Sequence, residues 1–269
     1  MLYTRFTEPA GGAPSRGTLV LIHGLLGNTR DWEAVVNELK DYAVLTVDLP
    51  GHGCSSLISC DGFDDCCQLV LSAILNGIPP RYLTGPVFLI GYSLGARIIM
   101  YGLSYHGFDA LDLGGCILEG GNTGLQSQAE IQQRLMGDRL WAVRFEREPI
   151  EQVLADWYRQ PVFSSLTPEQ RTHLVQKRSH NDGRGVSRML MATSLAKQPY
   201  LRDSLKGSHI PLHYLCGERD QKFSELAEQS GLSFTRAKHA GHNVHSEQPH
   251  AFAQLVRTII TEIQTGQLE

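Results

Sequence analysis

The sequence predicts an α/β protein with a mostly parallel central sheet, helices on both faces and a helical insertion late in the chain. Three observations carry this. Short apolar runs of strand length alternate with segments of helical periodicity through the first 121 residues. Between residues 122 and 206 no convincing long apolar strand run occurs, and helical segments follow one another. The alternation then resumes near residue 211.

Taken in order, a polar Gly/Pro-rich lead at 11–17 gives way to a buried strand at 18–22 (TLVLI), which ends at His23-Gly24-Leu25-Leu26-Gly27. Residues 31–39 have helical periodicity, with Trp32, Val35, Val36 and Leu39 on one side. The next strand, 43–47 (AVLTV), is closed by Asp48-Leu49-Pro50-Gly51-His52-Gly53, a loop expected to shape the pocket floor. A helix over 64–75 turns Cys67, Leu71 and Ile74 inward. The apolar strand 86–90 passes through Gly91-Tyr92-Ser93-Leu94-Gly95 into a helix over 96–103, followed by a strand at 115–119. Unbroken apolar strands of this kind belong to a parallel sheet covered on both faces. In the insertion, 126–145, 150–158, 169–177 and 187–195 read as helices, the third opened by an N-cap at Thr167 with Pro168 in its first turn. Strand 211–216, helix 224–230, short strand 233–236 and a closing helix over 249–263 complete the chain. The expected division is a core of residues 1–121 and 207–269 with a helical lid of residues 122–206, on the side where catalytic loops cluster.

Composition narrows the function. The chain has 269 residues, 42% hydrophobic and 19% charged, ordinary for a soluble globular protein. A net charge of −4 argues against nucleic acid as a partner. No run approaches the ~20 apolar residues of a membrane span, so no membrane insertion is expected. The first nine residues hold no apolar core of signal-peptide length, which makes the cytoplasm the expected location. All six cysteines are expected to be reduced, since their spacing fits neither C-x-x-C redox chemistry nor zinc. No histidine cluster of metal-ligand spacing and no glycine-rich phosphate loop is present, so neither a metal nor a nucleotide is proposed. The insertion carries thirteen basic against nine acidic residues, while the remainder is acidic. That contrast points to an anionic small-molecule substrate.

Gly91-Tyr92-Ser93-Leu94-Gly95 matches G-x-S-x-G between a strand and a helix, the context that gives the pattern its chemistry. Reversing a strand into a helix within one residue strains that residue's dihedrals. It also exposes its hydroxyl at a helix N-terminus, where the Leu94 N–H faces developing negative charge. A serine hydroxyl is almost fully protonated at neutral pH and needs a partner to take its proton. Downstream, Asp220 follows a strand end, and His242 follows an Ala-Gly turn 22 residues later. One helix and one strand fit between them, so both side chains emerge at the same sheet edge. Glu218 would point the other way in an extended chain, and His239 and His245 do not follow the turn. The Leu25 N–H is the expected second oxyanion donor, each such donor being worth about 3 kcal/mol in a transition state. Glu119, an acid at a deep strand end, is expected to bond a loop backbone. Arg97 lies one helical turn after Ser93. It is either a fixed cation beside the serine or a solvent-exposed helix arginine. Arg134 and Arg178 are equally open, and Trp157-Tyr158 reads as insertion core or as a ligand contact.

These residues, with Asp61-Gly62-Phe63-Asp64-Asp65, Gly95-Ala96-Arg97, the run from Ala155 to Phe163, Thr193-Ser194-Leu195-Ala196, Tyr214 to Asp220 and Ala240-Gly241-His242-Asn243, resemble the 2-succinyl-6-hydroxy-2,4-cyclohexadiene-1-carboxylate synthases, lyases of α/β-hydrolase fold in menaquinone biosynthesis. The resemblance spans essentially the whole chain. It implies a cofactor-free 2,5-elimination of pyruvate, with Ser93 of a Ser93-Asp220-His242 triad acting as a base on a ring C–H. It also implies that Tyr92, Arg97, Arg134, Trp157 and Arg178 hold a polyanionic substrate, whose carboxylates suit guanidinium forks. The chain departs from the family by added residues near 75–84 and by Asn122-Thr123 where a His-Pro pair is expected. The alternative is a serine hydrolase, an esterase or acyl-CoA thioesterase, working through an acyl-enzyme. Oligomeric state is not legible.

Overall fold

The structure is a computed structural model and describes residues 1–12 and 16–267. Seven strands form one sheet: β1 (Thr4–Thr7), β2 (Thr18–Ile22), β3 (Ala43–Val47), β4 (Val87–Tyr92), β5 (Leu113–Glu119), β6 (Leu212–Gly217) and β7 (Ser233–Ala237). They are ordered β1-β3-β2-β4-β5-β6-β7. Every neighbouring pair is parallel except β1 with β3. The six strands expected from apolar runs are all present, β2 and β3 with the expected limits. β1 is an addition: four partly exposed residues (TRFT) at the sheet edge make no apolar run.

The helices are α1 (Glu33–Glu38), α2 (Phe63–Gly77), α3 (Leu94–Ser104), α4 (Gln128–Arg147), α5 (Ile150–Trp157), α6 (Pro168–Arg178), α7 (Gly183–Ala192), α8 (Arg202–Lys206), α9 (Gln221–Ser230), α10 (Val244–Glu247) and α11 (Pro249–Thr265). α6 opens as expected, with Thr167 and Gln170 exchanging the two bonds of a capping box. α7 begins four residues earlier than its apolar periodicity, because Asp182 accepts the N–H groups of Arg184 and Gly185 and starts the helix across two glycines. α8 and α10 are too short to show a period.

Alternation along the strands divides the core. Val20 and Ile22 of β2 face one layer with Val70 and Ile74 of α2 and Ile98 of α3. Leu19 and Leu21 face the other, with Val35 of α1 and Phe252, Val256 and Ile260 of α11. The segment between β5 and β6 has a cluster of its own, in which Phe145, Val153, Leu154, Leu174 and Val186 pack on Leu26 of the loop after β2. One of its close approaches to the body is backbone on backbone. Gly51 has φ +76°, and a Cβ there would lie 2.4 Å from the Gly185 carbonyl oxygen at the start of α7. Nearby, the Asn181 amide donates to the Leu26 carbonyl at 3.0 Å. All six cysteines are free. Among the described residues, no helix is long and apolar enough to cross a membrane.

Candidate active site

Ser93 sits between β4 and α3 with φ 50° and ψ −104°. The turn is tight enough that a Cβ on Gly95 would stand 2.2 Å from the Ile22 carbonyl oxygen, so the following strand–helix contact demands glycine. The Ser93 N–H donates to the Glu119 carbonyl at 2.7 Å, extending the β4–β5 ladder by one residue. At the end of β6, Asp220 caps α9 through the Phe223 N–H at 3.2 Å. Its other oxygen lies 2.7 Å from His242 Nδ1, with both side chains buried. A carboxylate at Nδ1 selects the Nδ1–H tautomer and leaves the Nε2 lone pair free to accept a proton. Glu218 instead accepts the His239 N–H. Among the described residues, no protein acceptor takes the Leu25 or Leu94 N–H, whereas the next amide, Leu26, donates to His52 Nε2 at 2.9 Å.

That last bond is half of a cross-brace. His52 Nε2 accepts Leu26 N–H while His23 Nε2 accepts Leu49 N–H, also at 2.9 Å, so the loops after β2 and β3 hold each other. Each ring also bonds a nearby carbonyl through Nδ1, Gly24 for His23 and Pro50 for His52. The loop from Asp48 to Gly53 was expected to shape the pocket floor. None of its residues lines the cavity described below; it braces the loop carrying Leu25 instead. Burial lowers the pKa of His23 to about 4 and of His52 to about 3. The unfolded chain then binds protons first as pH falls below about 6.5, so these neutral rings contribute stability above that pH and lose it toward 4. Urea unfolding at pH 7 and pH 5 is expected to show a loss of about 3 kcal/mol per pH unit from the pair once below about pH 6. A flat profile would show that the rings are not held neutral.

Ser93 and His242 open on one cavity of about 760 Å³ between the sheet edge, α9 and the helices that follow β5. Arg134 and Trp157, two of the five residues expected to hold substrate, line it. Arg134 Nε sits 2.9 Å from both oxygens of Asp138, which also accepts the Ser194 hydroxyl at 2.7 Å. Trp157 packs edge-on to Trp141 at 5.0 Å. Two further cations on the lining, Arg202 and Lys222, were not singled out from the sequence. Lys222 had a signal in its place, two residues past Asp220 at the same strand end. Burial and the Arg134 charge lower its pKa. Asn122 and Thr123 also lie on the wall.

The other three expected substrate contacts are placed differently. Arg97 is buried, with Nε donating to Gln198 at 2.6 Å and Nη2 to the Thr193 carbonyl at 2.7 Å. Its guanidinium lies over the Phe63 ring, and these partners draw it behind the lining while leaving it near enough to feel the Arg134 charge. Arg178 is a buried ion-pair partner of Asp31 at 2.6 Å, off the lining. The Tyr92 hydroxyl donates to Asn243, and the ring packs on His242 and His245 rather than on the cavity.

A model of the α/β hydrolase family matches residues 19–255. A 2-succinyl-6-hydroxy-2,4-cyclohexadiene-1-carboxylate synthase of Yersinia pseudotuberculosis serotype O:1b (strain IP 31758) is 46% identical over 245 residues, covering 91% of this chain and 87% of the relative. The chain belongs to the 2-succinyl-6-hydroxy-2,4-cyclohexadiene-1-carboxylate synthase family. Yersinia pestis (strain Pestoides F) has a synthase of the same name with the same identity and coverage. The solved structure of MenH from S. aureus superposes with a TM-score of 0.87 at 27% identity, over 98% of this chain and 100% of that one. A thermophilic esterase from Thermogutta terrifontis shares the fold, with a TM-score of 0.74 at 23% identity over 97% of this chain and 93% of its own. The family's α/β hydrolase architecture is therefore the one found here, with a seven-stranded sheet whose single antiparallel member is β1.

Proposed function

We propose that the protein is a carbon–oxygen lyase of menaquinone biosynthesis. It would eliminate pyruvate from 2-succinyl-5-enolpyruvyl-6-hydroxy-3-cyclohexene-1-carboxylate to give 2-succinyl-6-hydroxy-2,4-cyclohexadiene-1-carboxylate. The observation that carries this reading, beside family membership, is the union in one cavity of Ser93 and His242 with the cations Arg134, Arg202 and Lys222. A neutral ester needs no such wall; a substrate with three carboxylates does. Arg97 would add positive potential from behind, and Trp157 an apolar face for the ring.

The bond changes follow from the substrate. The ring hydrogen at C2 lies beside the succinyl ketone and is the acidic one. Ser93 Oγ takes that proton while its own passes to His242 Nε2, and Asp220 holds the Nδ1–H and stabilises the imidazolium. The C2–H pair becomes the C2–C3 double bond, the ring alkene shifts to C4–C5, and the C5–O bond breaks. Enolpyruvate leaves and is protonated on carbon to pyruvate. Charge that develops on the ketone oxygen would fall to the Leu25 and Leu94 N–H groups, which no protein acceptor takes among the described residues, although neither residue is on the cavity lining. Residues 122–206 would act as the lid over this chemistry, and a cytoplasmic place is supported by six free thiols. Pyruvate release from the enolpyruvyl substrate is expected, with ester and acyl-CoA cleavage far slower. Ester turnover without pyruvate would overturn the lyase reading in favour of a serine hydrolase.

A further inference from the structure

Glu119 has no exposed surface and does not line the cavity, yet it touches both halves of the reacting pair's scaffold. Its backbone carbonyl accepts the Ser93 N–H at 2.7 Å. Its carboxylate accepts the His245 N–H at 3.1 Å and lies 2.9 and 3.0 Å from His245 Nδ1. His245 is three residues past His242, and its ring is held between Trp32 at 4.4 Å and Tyr92 at 4.6 Å. A second tie runs alongside, since the residue before the serine, Tyr92, donates to the residue after the histidine, Asn243. A buried carboxylate is costly unless fully bonded, and an apolar side chain would fill the same space without that cost. Packing alone therefore does not account for an acid here.

We propose that the Glu119–His245 pair is a positioning strut that sets the approach of Ser93 to His242. It rests on the reading that those two residues carry the proton in the elimination. Glu119 acts through others and touches no reacting atom. A strut of this kind affects turnover rather than substrate affinity, because the cavity wall that grips the substrate belongs to other elements.

The test compares Glu119→Ala, Glu119→Gln and His245→Phe with the native protein. Two rates are read: pyruvate release, and covalent labelling of Ser93 by a fluorophosphonate, in which the serine oxygen displaces fluoride. Loss of the strut in Glu119→Ala is expected to lower kcat about a hundredfold, as misplacement by about 1 Å can. KM should stay within about threefold, and labelling should slow in parallel. Glu119→Gln should recover most of that loss, its amide accepting the His245 N–H and donating to a neutral Nδ1. His245→Phe keeps a ring between Trp32 and Tyr92 but removes Nδ1, and serves where Glu119→Ala does not fold; its kcat should fall about tenfold with KM unchanged. Folded Glu119→Ala or His245→Phe with native kcat and labelling rate would overturn the strut. So would a loss expressed in KM alone. A native protein that labels at Ser93 but releases no pyruvate removes the lyase reading, and the strut is then decided by the labelling rates.

Discussion

Ser93→Ala is expected to lower kcat for pyruvate release by about a thousandfold, the middle of the range for loss of a positioned acid–base group. KM should change little. The lining cations and Trp157 stay in place, and the substitution removes one oxygen at an intermediate-exposure position. Thermal stability should also be close to native, because the Ser93 side chain makes no capping bond to α3. His242 keeps its bond to Asp220, so the variant retains an oriented imidazole with no serine to relay through. Activity within tenfold of native would remove Ser93 from the chemistry and leave His242 as the direct base. Steady-state kinetics on the enolpyruvyl substrate, with circular dichroism to verify folding, decides between them.

Arg178→Met is expected to cost about 4 kcal/mol of stability, the scale of an ion left alone in the interior. For a chain of this size that is a fall in Tm of roughly 10 °C. Asp31 would lose its 2.6 Å partner and keep Lys177 as its sole counter-ion among the described residues, at 3.1 Å, beside the Asn28 N–H it accepts at 3.1 Å. Burial works against ionising Asp31, yet Arg178 and Lys177 outweigh it and hold the carboxyl well below the usual carboxylate range. A depressed folded-state pKa gives stability that is fully present above the unfolded value near 4 and lost as pH falls through the folded one. The gap between native and variant should therefore be widest near neutrality and close in acid. Urea titrations at pH 7 and pH 3 measure both points. Unchanged stability with KM raised tenfold or more would return Arg178 to the substrate.

Much of this molecule was written in one dimension. Strands such as Leu19-Val20-Leu21-Ile22 are buried on both faces, so their apolar runs identify them without reference to neighbours. The meeting of Asp220 with His242, and of His242 with Ser93 on one cavity, was legible in the same way, because each follows a strand end and the sheet brings strand ends together. Arg97 shows where such reading stops. Its spacing from Ser93 was right, but the direction of a long side chain is set by what it meets. Thr193 and Gln198, about a hundred residues away, supply the acceptors. Arg178 was displaced for the same reason by Asp31. Glu119 is expected from the sequence to bond a loop backbone; it bonds instead the His245 N–H in the first turn of α10 and the His245 ring, a partner hidden because that ring is placed by Trp32 and Tyr92. β1 escaped because an edge strand half open to water has no need of an apolar run.

The contact between Gly51 and Gly185 bears on traffic. That contact, the Arg178–Asp31 pair and the Asn181 bond to Leu26 all fall within residues 178–185, so one margin of the insertion is riveted to the body. Raising the insertion as a rigid plate would break all three at once. Gln133 of α4 and Trp157 of α5, which take part in none of these three contacts, line the cavity. A polyanion entering past α4 would meet Arg134 there, with the other lining cations, Arg202 and Lys222, contributed by α8 and α9.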